Sequence, residues 1–210
     1  MEFLSRRRTA KTATELANEL HEGATAAINQ DDGPGRQVSC PANCHARIAV
    51  TPPEVLGIAD YLRKSTPPDE LHRIHDRAAA NCRQFAAMDR RQSAGEDVRC
   101  PLLDDRDACR AFPARPIRCR GWCPAAEAAE DTSSRSIFDQ KLVDPHEFES
   151  RSHVVVQGAE FGFRSGLKAS GLDGSLYELN SALVVALDVP DAAERWAAGS
   201  PVFRNCDTCK

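Results

Sequence analysis

No run of roughly 20 apolar residues, the length a helix needs to cross a membrane, occurs in the chain, so no membrane partner is expected. The basic start, Arg6-Arg7-Arg8, is followed by Thr9, Lys11, Thr12, Thr14 and Glu15 rather than by the apolar core of a secretory signal. The expected location is therefore cytoplasmic. Charge of one sign is also scarce: 27 Lys and Arg against 31 Asp and Glu leave a net −4 over 210 residues. That balance argues against bulk attraction to nucleic acid or to an acidic membrane surface. No glycine-rich loop follows a strand pattern, which removes the usual cradle for a nucleotide cofactor. There is no internal repeat, no low-complexity segment and no identifiable Ser–His–Asp order.

What is present is cysteine. The nine thiols are Cys40, Cys44, Cys82, Cys100, Cys109, Cys119, Cys123, Cys206 and Cys209. In a reducing compartment such a set points to metal binding or redox chemistry rather than to structural disulfides, and the odd count weighs against a complete disulfide framework. The length suffices for an ordinary core, and 41% hydrophobic with 28% charged residues suits a globular chain with a solvated surface.

Apolar spacing predicts a mostly α fold, with helices packed around a loop-rich cysteine segment. Residues 1–36 read as an N-terminal helix and linker, and 37–210 as the cysteine cluster domain, the whole forming one compact unit. The first helix is expected over 9–29, with Ala13, Leu16, Leu20, Ala24 and Ala27 on one face. Gly33, Pro34 and Gly35 end it. A short extended piece at 48–50 precedes Thr51-Pro-Pro-Glu54, a capping box with proline in the first turn. This second helix carries Val55, Ile58, Ala59 and Leu62 inward. A third opens at Thr66-Pro-Pro-Asp69 and reaches about residue 91, with Leu71, Ile74, Ala78, Cys82, Phe85 and Met88 as its seam. From 95 to about 136, Pro101, Pro113, Pro116 and Pro124 break helical periodicity. Helix returns over 147–170, although Val154-Val155-Val156 favours strand locally, and Gly171 stops it. Ser175-Leu-Tyr-Glu178 reads as another capping box, followed by Leu176, Leu179, Leu183 and Leu187. A last short helix runs from Pro190 through Trp196 to near Gly199.

Soft thiolates select zinc, copper(I) and iron–sulfur clusters, and zinc takes four ligands, often as close pairs from separate loops. The close pairs are Cys40 with Cys44, Cys119 with Cys123, and Cys206 with Cys209. Cys100 and Cys109 flank one irregular loop. The candidate metal ligands are therefore Cys40, Cys44, Cys100, Cys109, Cys119, Cys123, Cys206 and Cys209, with Cys82 assigned to the core by its place on an apolar seam. His45, adjacent to Cys44, is a weaker candidate. His21, His72 and His75 fall on helices and read as surface residues. Arg106, Arg110, Arg115, Arg118 and Arg120 would offset the charge of a tetrathiolate site. Asp104, Asp105 and Asp107 are explained by a turn.

The stretches Cys100-Pro-Leu-Leu, Cys109-Arg-Ala-Phe and Arg115-Pro116-Ile-Arg-Cys119-Arg120-Gly-Trp122 resemble the YkgJ-type cysteine cluster proteins, a zinc- or iron-chelating CxxCxxCC domain family. The stretch from Cys40 through Glu54, and Tyr177-Glu-Leu-Asn-Ser-Ala-Leu183, are similar too. The resemblance covers about residues 37–206. Asn43 and Arg36 stand where that family commonly has cysteine. It implies zinc or iron as cofactor, bound by Cys40, Cys44, Cys100, Cys109 and Cys119, in a structural or sensory role. Two alternatives stay open: an iron–sulfur redox or group-transfer enzyme, and an accessory protein to a protein-modifying enzyme, which would add a protein partner to the metal ion. A disulfide-bearing exported protein is disfavoured by the missing signal.

Overall fold

A computed structural model describes residues 2–32, 44, 47–87, 98–120 and 151–206. Along the chain run helix α1 (Glu2–Asp32), strand β1 (Ala49–Val50), helices α2 (Pro52–Ser65) and α3 (Pro68–Ala87), and two 3-10 turns (Phe112–Ala114 and Ile117–Cys119). Helix α4 (Arg151–Ala169), strand β2 (Tyr177–Glu178) and helices α5 (Leu179–Asp188) and α6 (Ala192–Ala197) complete the order. The fold is mostly α, as the periodicity predicts.

Helix α2 forms as its sequence dictates. Glu54 Oε2 accepts from Thr51 N at 2.7 Å, closing the capping box ahead of the prolines. Val55, Ile58, Ala59 and Leu62 are fully buried. They pack with Ile74 and Ala78 of α3, Leu179, Leu183 and Ala186 of α5, Trp196 of α6, and Phe203. Burying each large aliphatic side chain here contributes about 2 kcal/mol, so α2 is the staff on which the other helices hang. Strand β1 pairs antiparallel with β2, Ala49 opposite Glu178 and Val50 opposite Tyr177. Leu179 N donates to Ile48 O at 2.8 Å, which ties the segment after Cys44 to the start of α5.

Two expectations need correction. Helix α1 is longer than 9–29, and its buried face is Ala10, Ala13, Ala17, His21 and Ala24, while Leu16 is 52% exposed. The reason is a close crossing: a Cβ at Gly57 of α2 would lie 3.1 Å from Thr14 Cγ2, so α1 turns its small side chains toward α2. Glu178 is not the fourth position of a capping box opened by Ser175. It is itself the N-cap of α5, accepting from Asn180 N and Ser181 N at 3.0 Å. As expected of the stretch 147–170, the three valines lie in helix, with Val156 buried against Ala24 and Ile117. Packing on α1 overrides their local strand preference.

Other boundaries hold. Gly171 takes φ 71° and Leu172 N reaches back to Leu167 O at 2.9 Å, ending α4 as a left-handed cap. The seam of α3 is buried at Ile74, Ala78 and Phe85, with Cys82 half-buried. Met88 and the expected helix starts at 147–150 lie outside the described residues. Among the described residues no helix is long and apolar enough to cross a membrane.

Candidate metal centre

Residues 98–120 are shaped by short-range hydrogen bonds and clamped by the helices around them. Asp104 Oδ1 accepts from Arg106 N and Ala108 N, both at 2.9 Å, and Asp107 adopts φ 58°. This is the tight turn expected of these aspartates. It lets Leu103 and Cys109 bridge in antiparallel fashion and Arg110 N donate to Leu102 O at 2.8 Å. Arg99 closes the turn by pairing with Asp107 at 2.7 Å and donating to Asp104 O. A proline-rich stretch without an apolar stripe thus acquires a definite shape.

Three helices hold this segment from outside. Helix α3 supplies Arg77 to Pro101 O at 3.0 Å, Asn81 Nδ2 to Arg99 O at 2.9 Å, and Glu70, which meets Arg110 at 3.3 Å. Helix α4 supplies Glu160, whose carboxylate pairs with Arg118 at 2.5 Å. Helix α2 supplies Glu54, whose Oε1 accepts from Ile117 N at 2.9 Å. These clamps bring Cys100, Cys109 and Cys119 toward one another. Cys44 joins them because its carbonyl accepts from Cys100 N at 2.6 Å.

The outcome is a set of four free, half-buried thiols from separate stretches of chain. Each of Cys100, Cys109 and Cys119 lies within the electrostatic reach of Cys44, and Cys119 within that of all three others. Burial pushes Cys100 up to about 12, and its thiol neighbours add to this. It pushes Cys119 well above the ordinary thiol range, and raises Cys109 and Cys44. Against burial work specific donors: the backbone N–H of Leu102 bonds to Cys100 sulfur, and that of Ala111 to Cys109 sulfur. Amides aimed at sulfur favour the thiolate. The Arg115 guanidinium bears on Cys44, Cys109 and Cys119 in the same sense, and Arg99 on Cys44.

Of the arginines expected around such a centre, Arg115 takes that place, stacked over Phe112 with 3.7 Å from Cζ to the ring centroid. Arg120 also bears on Cys119, while Arg110 and Arg118 do different work. Arg110 and Arg118 make the ion pairs above, and Arg120 donates to Arg115 O and Pro113 O at 2.9 and 2.7 Å. Two residues that sequence reasoning did not place here are acidic and buried. Glu178, 2% exposed, lies within reach of Cys100 and of Arg47, and burial pushes its carboxyl up. Glu54 is described above. The signal for Glu178 was its place in Tyr177-Glu-Leu-Asn, where Asn180 Oδ1 receives Asn81 Nδ2 at 2.9 Å.

Cys206 sits in the apolar core beside Tyr177 and Phe203. Cys40, Cys123, Cys209 and His45 fall outside the described residues. His21, read as a surface residue, is instead 3% exposed, with Nε2 3.0 Å from Glu54 Oε1. His75 is half-buried and its Nε2 lies 2.9 Å from Asp188, while His72 is exposed as expected. Among the described residues no three His, Cys, Asp or Glu side chains are drawn close enough together to grip one ion.

No protein-family model, curated protein or solved structure matches the chain.

Proposed function

We propose that this chain binds zinc or iron through Cys44, Cys100, Cys109 and Cys119, in a structural or sensory role. The observation that supports the reading is that these four free thiols, from separate stretches of chain, bear electrostatically on one another, with the Leu102 and Ala111 amides donating to two of them and Arg115 acting on three. Four thiols match the ligand number of a tetrahedral zinc site and of a cubane or two-iron cluster. Uncharged thiols gain little from one another, whereas a bound cation would offset the charge of their thiolates. A tetrathiolate zinc site carries a residual charge of about −2, which Arg115 and Arg99 offset. Binding at such a site contributes on the order of 10 kcal/mol, enough to draw the sulfurs together against loop entropy. The reading takes up the resemblance of residues 100–122 to the YkgJ-type clusters. Cys40, Cys123 and Cys209 remain candidate ligands by spacing alone.

The test is anaerobic purification of the full chain with elemental analysis. A colourless protein with about one zinc per chain supports the mononuclear form. A brown protein with iron and acid-labile sulfide supports the cluster form, and with it the redox or group-transfer alternative. A protein devoid of both metals, which also takes up neither zinc nor cobalt(II) when they are added, refutes the proposal.

A further inference from the structure

Helix α1 docks in two unlike ways along its length. Its first half joins the main core through Ala10 and Ala13. Its second half meets the cysteine segment and α4, with Ala24 packed against Ile117 and Val156. The fully buried alanines of this half, Ala17 and Ala24, each bring little apolar area. One hold is polar: His21, 3% exposed, reaches Glu54, and among the described residues no partner meets its Nδ1. Glu54 Oε1 accepts both from this histidine and from Ile117 N at 2.9 Å. Ile117 opens the 3-10 turn that ends in Cys119. A single buried carboxylate thus receives the α1 helix on one side and the backbone of the metal-ligand turn on the other.

We propose that the second half of α1 is the element that responds to metal at the cysteine centre. Occupancy fixes the turn carrying Ile117 and Cys119, and through Glu54, His21 and Ala24 it fixes the docking of residues 17–27. Loss of metal loosens the turn and releases that half-helix, while residues 10–14 stay on the main core. The inference rests on the metal-binding reading and names the part of the fold that would report the bound state. Its physical basis is a shared acceptor. The Ile117 amide and His21 imidazole place their hydrogens on one oxygen, so moving either donor changes the geometry left for the other. Coupling of this kind is reciprocal: whatever factor metal exerts on docking, docking exerts on metal affinity.

Amide hydrogen exchange on the full chain, zinc-saturated against EDTA-stripped, reads the first arm. Residues 20–27 are expected to open about ten-fold more often without metal, with smaller changes in residues 10–14 and in α5. Cobalt(II) titration of His21→Ala reads the second arm, and its affinity is expected to fall by the same factor. If His21→Ala does not fold, Ala24→Leu, which crowds Ile117 from the α1 side, replaces it. Unchanged exchange in residues 20–27 in a protein that demonstrably binds zinc overturns this inference alone. So does an equal loss of protection in α5, because the whole fold would then be answering. A chain that binds neither zinc nor cobalt(II) overturns the metal-binding reading, and this one with it.

Discussion

Replacing Glu54 tests the central packing argument most directly. Its carboxylate is 3% exposed and accepts from Thr51 N at 2.7 Å, Thr51 Oγ1 at 2.8 Å, Ile117 N at 2.9 Å and His21 Nε2 at 3.0 Å. Glu54→Ala strands these donors from α1, α2 and the cysteine segment together. An unsatisfied buried donor costs about 1–3 kcal/mol. Water entering the vacated space relieves part of that, leaving a loss of about 4 kcal/mol. For a chain of 210 residues this lowers Tm by about 10 °C. Glu54→Gln keeps the volume but turns an amide donor toward donors, and is expected to lose about 2 kcal/mol. The sign of the pH dependence follows from the site. Burial pushes the Glu54 carboxyl up, but His21, Thr51 and Ile117 together reverse this and hold it below the ordinary carboxylate range. A depressed folded value means that the stabilisation is present above about pH 4.3 and is lost as pH falls through the lower folded value. Urea midpoints of wild type and Glu54→Gln, at constant m and in one metal state, should therefore converge on acidification. A Glu54→Ala midpoint within about 2 °C of wild type, or a gap that widens in acid, would refute the reasoning.

Cys109→Ser and Cys119→Ser should each deplete bound zinc or iron measured by elemental analysis, whereas Cys82→Ser on α3 should leave it unchanged. Equal depletion by all three would sink the assignment. Gly174→Ala should lose about 2 kcal/mol, because the new Cβ would stand 2.7 Å from Arg164 O, a backbone atom that cannot swing aside. A neutral result in thermal denaturation would show that the α4–β2 connection shifts freely. On α1, Leu16→Lys should change stability by no more than about 0.5 kcal/mol, since Leu16 is 52% exposed. Ala17→Lys, at a position 1% exposed, should lose more than about 2 kcal/mol. The opposite ranking would restore the Leu16 face as the buried one.

Local chemistry was readable residue by residue. Thr51-Pro-Pro-Glu54 starts α2 because proline is harmless in a first turn and a carboxylate three residues on can reach the cap amide. Gly171 ends α4 because the positive φ of the left-handed cap strains a residue that carries a Cβ. The aspartates at 104 and 107 form a turn because Asp104 can satisfy two amides within its own loop. Each of these is decided within four or five residues, and so is visible in the string.

The rest depended on what arrives from far away. The sequence by itself determined a mostly helical chain, its main helix boundaries, and a proline-broken, cysteine-rich stretch; that Cys100, Cys109 and Cys119 pack against the apolar core was not legible in it. Tertiary structure alone decided which side of α1 is inside. Apolar and small residues at three- and four-residue steps allow more than one face, and the close crossing at Gly57 selects the alanines over Leu16. It decided that His21 is buried, because its partner lies 33 positions away on α2. It decided too that Cys44 stands with Cys100, Cys109 and Cys119, through one backbone hydrogen bond and the clamps of α2, α3 and α4. A side chain's neighbours across a packed interface are set by how surfaces fit, and spacing along a single strand of sequence does not encode that fit.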